Sequence, residues 1–393
     1  MTQGALTGLR LIEMGQLIAG PFCGQLMGDH GAEVIKIEPP KVGDAMRSWG
    51  QGIPLWFSVV GRNKKSITLN LREKEGQAIV KKLVAKSDFL LENFRAGTLE
   101  KWGLDYDTLS AINKGLIMIR VSGYGQTGPY SHRAGYGGIG EAMGGMRYII
   151  GEPDRPPSRA GLSIGDSLAA TYACLGALMA LQHRHKTGEG QVVDSAIYEA
   201  VLANMESTVA EYTVAGHIRE RTGSILPKIA PSNVYPTSDG SVLIGGNQDS
   251  VWKRMAAMMS RPELGEDPRY ATHIARGENQ TELDELIMDW TRGFTSQDLL
   301  DLCESHGVPA GNVYRAPEML ADPHFQAREA LVKVDHPQHE NFVMQNVAPK
   351  LSRTPGHIDS VGPELGAHNE AIYGELLGMD SATMADLQDR GII

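Results

Sequence analysis

Over the first two hundred residues, short apolar runs alternate with longer amphipathic stretches. GLRLIEMG (8–15), EVIKIEPP (33–40), SITLNLR (66–72), SDFLLENF (87–94) and LIMIRVSGYG (116–125) have strand length and end in Gly, Pro or polar residues. Between them, AGPFCGQLMGDHGA (19–32), EKEGQAIVKKLVAKS (73–87) and GTLEKWGLDYDTLSAINKG (97–115) carry helical spacing. Strands alternating with helices predict an α/β domain with an open parallel sheet of Rossmann type. Ligands in such sheets bind beyond the carboxyl ends of the strands, where Asn93, Phe94 and Ser122-Gly123-Tyr124-Gly125 are expected to cluster.

Residues 125–165 read as loop, with six glycines from Gly135 to Gly145 implying close backbone approach or mobility. RAGLSIGDSLAATYACLGALMALQ (159–182) then reads as a loop entering a long Ala- and Leu-rich helix. HRHKTGEG follows as a basic turn with His183 and His185 solvated, then a strand and a helix in QVVDSAIYEAVL. The pattern changes at 216–232, which reads as a connector. NVYPTSDGSVLIGG predicts a hairpin about Ser238-Asp239-Gly240, followed by three helical segments. The expected domains are 1–215, a small α/β domain at 233–325, and a segment at 326–393 that returns to the first domain.

A length of 393 residues suits two or three domains. The formal charge of −10 argues against nucleic acid or anionic membranes as partners. No apolar run is read as approaching the ~20 residues of a membrane span. The start lacks a secretory pattern, and the scattered Cys23, Cys174 and Cys303 suit a reducing cytoplasm and no metal site.

Asp166 stands where a helix N-cap is expected. There its carboxylate would accept backbone N–H bonds and stay ionised at neutral pH. On its own this is either an ordinary cap or a nucleophile. Ala19-Gly20-Pro21 is a turn entering a helix N-terminus, and no GxGxxG accompanies it.

Several separated segments resemble one family together: IAGPFCGQLMGDHGAEVIKIEPP (18–40), GD-x-x-R-x-W (43–49), NKKSITLNLR (63–72) and ENFRAGTLEKWGL (92–104). SGYGQTGP (122–129), GDSLAA (165–170), HKTGEGQ (185–191), GGNQDSVW (245–252) and HGVPAGNV (306–313) complete the set. The chain resembles the class III CoA-transferases, the formyl-CoA and carnitine CoA-transferase family. The resemblance implies a Rossmann-like large domain, a smaller α/β domain, and an interlocked homodimer in which each chain is a ring threaded by its partner. It implies that Asp166 is the nucleophile, forming a mixed anhydride and then an aspartyl-CoA thioester. CoA and acyl-CoA are substrates, with no permanently bound cofactor.

The same resemblance places CoA contacts at Ile18 and Ala19, at Leu69, Asn70, Leu71 and Arg72 near the adenine, and at Asn93, Phe94, Arg95 and Lys101. It adds Arg133, Ala134, Gly135 and Tyr136. Pro39 stands where formyl-CoA transferase has an Arg, for which Lys41 or Arg72 could substitute. Gly245, Gly246, Asn247 and Gln248 match a mobile loop over the acyl site, or else only end the hairpin strand. Gln16 and Trp49 are expected in the same pocket, and Arg47 and Lys228 are candidates for a substrate carboxylate.

Two rivals remain. An α-methylacyl-CoA racemase needs an acid/base pair, and its RAGHD histidine is replaced by Tyr136, a poor base at neutral pH. A CoA-binding protein without turnover is disfavoured by Asp166. The expected reaction moves CoA from succinyl-CoA or a similar thioester to a small, dicarboxylic acid.

Overall fold

The computed structural model describes residues 4–393. The chain forms two units: residues up to Arg147 with Arg159–Ile218 and Gln326–Ile393, and Tyr148–Ser158 with Arg219–Phe325.

The first unit is built on six parallel strands: β1 (Arg10–Glu13), β2 (Glu33–Glu38), β3 (Lys64–Thr68), β4 (Phe89–Glu92), β5 (Ile117–Ser122) and β6 (Val192–Ala196). Their order is β3-β2-β1-β4-β5-β6, so the winding reverses between β1 and β4. Strands β1 to β5 are buried almost throughout because both faces are covered, and their charged residues, such as Lys36 and Arg120, are ion-paired there. Ile12, Ile35, Ile67, Leu90 and Met118 face one core with Ile79, Val80 and Leu83 of helix Lys74–Val84. Leu11, Val34, Phe89, Leu91 and Ile119 face the other, against Cys23 and Met27 of helix Ala19–Asp29.

Helix Ile164–Thr187 completes that second core through Ala169, Ala170, Ala173 and Ala177, small residues that let it pack closely. By length and composition this helix could cross a membrane, with a mean hydropathy of 1.4 in its apolar stretch. The expectation that no run approaches that length is therefore corrected. The alanine stripe that raises its hydropathy is core packing. Its last turn holds Arg184, His185 and Lys186, so the expected basic turn is helix end, where cations suit the dipole. Cys23 and Cys174, distant in sequence, meet here, and the hydrogen bond between them pushes the buried Cys23 thiol up.

Strand β3 ends at Thr68, four residues before the expected limit, and Leu69–Arg72 turn away from the sheet. The Leu69 side chain is fully buried, and Asn70 Oδ1 accepts from Arg72 N at 3.1 Å. Loop-rich 125–165 contains two short helices the pattern did not announce, Gly137–Met143 and Met146–Ile149.

In the second unit β7 (Ser232–Pro236) and β8 (Ser241–Gly245) form the hairpin, and β9 (Ala310–Asn312) adds a third antiparallel strand. Tyr235, Trp252, Leu283, Ile287 and Leu299 fill its core from the hairpin and helices Asp249–Met258, Gln280–Thr291 and Ser296–Ser305. Three residues of Ala, Gly and Asn gave β9 no readable period.

The segment from Gln326 packs within the first unit. It pairs β10 (Leu331–Lys333) with β11 (Val343–Gln345) and covers the free edge of β3. Ser66 N donates to His368 Nδ1 at 3.1 Å and Thr68 N to Asn369 Oδ1 at 2.9 Å, which occupies edge groups otherwise open to pairing.

Candidate active site

A cavity of about 800 Å³ opens in the first unit at the carboxyl ends of β1, β4 and β5. This is the point where strand order reverses, so the loops after β1 and β4 leave in opposite directions and part to form a crevice. Gln16 N donates to Asn93 Oδ1 and Asn93 Nδ2 to Gln16 O, both at 2.8 Å, tying the two loops together. Leu17, at φ 64°, is strained for a branched residue, and its N–H is held by the Asp44 carboxylate at 3.1 Å.

Asp44 is fixed in turn by a buried ion network. Lys36 Nζ lies 2.8 Å from Asp44 and 3.1 Å from Glu13, and donates to Gly15 O at 2.8 Å. Lys64 pairs with Glu13 at 2.8 Å. Burial works to discharge Lys36, but Glu13, Asp44 and Glu38 outweigh it and hold the ammonium above the usual lysine range.

Asp166 lies on the cavity wall as the third residue of its helix; Ser163 is the N-cap. The expected cap is thus displaced by one helical turn. No hydrogen bond to its carboxylate is present among the described residues, so the expected backbone stabilisation is missing too. Burial, then the neighbouring Glu141 charge, push its pKa up to about 6, with Arg159 opposing. The carboxylate remains largely ionised at neutral pH, and is more basic and less solvated than an exposed one. It lies against Gly137: a Cβ there would meet Asp166 Oδ2 at 2.2 Å. That close approach is what the glycine run provides.

Four arginines, Arg95, Arg133, Arg147 and Arg159, line the cavity with Asp166. Arg133 stacks on Tyr130, its Cζ 3.7 Å from the ring centre. Arg147 pairs with the buried Glu141 at 2.7 Å. Arg159 reaches Ser163 Oγ at 3.1 Å. Trp49 and Trp56, packed edge to face at 5.5 Å, close one side. Such a cavity suits a polyanionic ligand with a large organic body.

Of the residues singled out in the sequence, the cavity gathers Gln16, Ile18, Ala19, Trp49, Asn93, Phe94, Arg95, Arg133, Ala134, Gly135, Tyr136 and Asp166. Leu69, Asn70, Leu71, Arg72 and Lys101 do not line it. Leu69 is core, while Arg72 and Lys101 are exposed. Arg47 is corrected as a substrate-binding cation: it is bidentate to Glu38 at 2.7 Å on each arm and stacks on Phe57. Lys228 lies in the second unit, where its N–H donates to Gln280.

The Gly245–Gln248 stretch also belongs to the second unit and ends β8. Gly245 N donates to Pro309 O at 2.9 Å and Gly246 N to Pro231 O at 2.8 Å, so these two N–H groups are not open to an oxyanion. Asn247 O accepts from Arg276 at 2.7 Å, and Gln248 caps helix Asp249–Met258. Sequence reasoning missed Trp56, Gly137, Arg147 and Arg159; only the glycine run gave a usable signal, at Gly137.

A desolvated carboxylate among arginines, at the reversal of a parallel sheet, is equipped for group transfer on an anionic substrate. The chain belongs to CoA-transferase family III, whose model matches residues 6–369. It is 58% identical over 393 residues to the succinyl-CoA–D-citramalate CoA-transferase of Chloroflexus aurantiacus, covering 99% of this chain and 98% of that one. It is 35% identical to the succinate–glutarate CoA-transferase of Agrobacterium fabrum, over 94% of this chain and 95% of that one. A crystallised CAIB/BAIF family protein from Brucella suis matches with a TM-score of 0.85 and 35% identity, over 95% of this chain and all of that one. The chain is a CoA-transferase.

Proposed function

We propose that this enzyme moves CoA from succinyl-CoA to a small dicarboxylic acid, with Asp166 as the nucleophile. The observation that carries the reading is Asp166 itself, a carboxylate without a hydrogen-bond donor among the described residues, in a cavity lined by four arginines. Relatives named for D-citramalate, L-malate, glutarate and mesaconate all pair a succinyl or succinate partner with a dicarboxylic acid.

Asp166 attacks the thioester carbonyl carbon, and the C–S bond breaks to leave a mixed anhydride and CoA thiolate. The thiolate attacks the aspartyl carbonyl, releasing succinate and leaving an aspartyl-CoA thioester. The acceptor carboxylate repeats the two steps in reverse. One thioester replaces another, so the exchange is close to thermoneutral, and covalent capture divides a hard step into easier ones.

In this reading Ile18, Ala19, Asn93, Phe94, Arg95 and Arg133–Tyr136 surround CoA, with Arg95 and Arg133 toward its phosphates. Arg72 and Lys101 lie toward its far end, and Gln16 and Trp49 toward the acyl group. Asn247 and Gln248 keep their match to the loop that the resemblance assigns to the acyl site. The 3-2-1-4-5-6 strand order supports a Rossmann-like description. The interlocked homodimer is supported by the apolar side chains that helix Ile164–Thr187 leaves exposed, Tyr172, Leu175, Leu178 and Met179. The lack of paired cysteine spacing supports a cytoplasmic setting.

Incubation with succinyl-CoA followed by hydroxylamine tests the reading by mass spectrometry. A hydroxamate on the Asp166 peptide, absent from Asp166→Ala, is expected. No adduct with any dicarboxylyl-CoA, together with α-proton exchange in deuterated water, would instead indicate a racemase.

A further inference from the structure

The four arginines of the cavity fall into two pairs. Arg95 and Arg133 stand on the loops after β4 and β5. Arg147 and Arg159 are both tethered to residues just before Asp166, Arg159 directly and Arg147 through Glu141. Arg159 Nη2 bonds Ser163 Oγ at 3.1 Å, and Arg147 Nη2 bonds Glu141 Oε2 at 2.7 Å, while Glu141 Oε1 faces Gly165 N at 3.5 Å. The chain thus anchors both guanidinium groups to the turn that leads into its catalytic carboxylate.

Two consecutive glycines measure the spacing. A Cβ on Gly137 would touch Asp166 Oδ2, and a Cβ on Gly138 would lie 3.6 Å from Arg147 Nη2. Carboxylate and guanidinium therefore stand over neighbouring residues, whose Cα atoms are ~3.8 Å apart. Yet among the described residues Asp166 forms no ion pair with either arginine, so a gap separates them. Arg147 Nε is buried and has no hydrogen-bond partner among the described residues. An unpaired buried donor is costly, and the rest of the guanidinium, in a side chain 28% exposed, lines the cavity where an anion can meet it. Arg159 is exposed and has no carboxylate partner among the described residues.

Building on the transferase reading, we propose that Arg147 and Arg159 are the specificity residues of the acyl site, receiving the distal carboxylate of a dicarboxylyl-CoA. A thioester carbon next to Asp166 then places a carboxylate one or two methylenes away against the two guanidinium groups. Glu141 holds Arg147 in place. An acyl chain ending in methyl leaves both cations unmet, which is how a polar site rejects an analogue that lacks its partner group. Arg47, the cation first suggested for this task, is occupied by Glu38.

The test compares succinyl-CoA with butyryl-CoA, which has the same chain length and a methyl in place of the distal carboxylate. Calorimetric dissociation constants are measured in the Asp166→Ala chain, where covalent attack is blocked. Arg147→Gln and Arg159→Gln are expected to cut the preference for succinyl-CoA by about 10- to 100-fold each, leaving butyryl-CoA affinity unchanged. Arg159→Lys should keep part of the preference, since charge survives while the fork geometry is lost.

An equal loss for both thioesters would overturn the assignment, as would an Asp166→Ala chain without any preference or one binding neither thioester. Arg159→Gln alone carries the test if Arg147→Gln lowers the unfolding temperature. Failure of the transferase reading looks different. With Asp166 intact, an arginine-dependent preference for succinyl-CoA but no CoA exchange would leave the acyl subsite standing and remove the reaction.

Discussion

Gly137 and Asp166 approach so closely that a methyl group on the glycine would penetrate the carboxylate, 2.2 Å from Oδ2 and 2.6 Å from Cγ. Gly137 begins helix Gly137–Met143, where alanine suits the backbone well. Gly137→Ala should therefore fold with an unchanged unfolding temperature and lose about 100-fold in kcat/KM through displacement of the nucleophile. Matched thermal melts and steady-state rates check this, and unchanged rates would mean that Asp166 need not sit there.

The pH profile follows from the same carboxylate. Burial and Glu141 raise its pKa to about 6, and only the ionised form attacks. Then kcat/KM should fall about tenfold per pH unit below that value and level off above it. Glu141→Gln removes a like charge and frees Arg147, so its midpoint should move to lower pH. A midpoint that moves upward would contradict this arrangement.

Asn93 holds Gln16 by two bonds across the crevice. Asn93→Ala leaves the Gln16 N–H and carbonyl unpaired and should cost about 1–3 kcal/mol of stability. Because it loosens both walls of the CoA cavity, KM for acyl-CoA should rise more than kcat falls. Denaturant titration and initial rates measure the two effects separately.

Lys36 is 1% exposed and joins Asp44 and Glu13. Lys36→Met leaves the buried Asp44 without a cation and Glu13 with Lys64 alone, and should destabilise the fold by about 3–5 kcal/mol. Lys65→Met breaks a pair with Glu33 that is partly in water, and should cost less than about 1 kcal/mol. Equal unfolding midpoints for the two variants would refute the distinction.

Leu175 and Met179, 46% and 63% exposed, lie one helical turn apart on helix Ile164–Thr187. If a second copy covers them, Leu175→Glu with Met179→Glu should turn a dimer into 42.6 kDa chains in sedimentation. A wild-type chain sedimenting at that mass would remove the homodimer.

Strands β4 and β5 were readable in sequence because burial on both faces leaves short continuous apolar runs, FLL and IMI. The end of β3 was not. Leu69 and Leu71 continue its alternation, but they are buried by packing that includes the distant segment carrying Ile372 and Ile392. Asn93, Ser122 and Gly123 were placed at the site by topology alone, since strand ends meet there whatever the side chains are. Arg47 misled because an arginine beside a tryptophan shows nothing locally of Glu38, nine positions earlier. Arg147 and Arg159 gave no signal, because their position depends on how the chain folds back around Asp166.

The edge of the six-stranded sheet is tied by residues translated much later, Thr68 being bonded to Asn369 across 301 positions. That loop must close before the bond can form, and such distant contacts are slow to gather. During synthesis the span Arg219–Phe325 is complete before the segment that covers β3 has emerged. The smaller unit can finish folding on the ribosome while the larger one waits with an open strand edge, the state in which a nascent chain most needs protection from its neighbours.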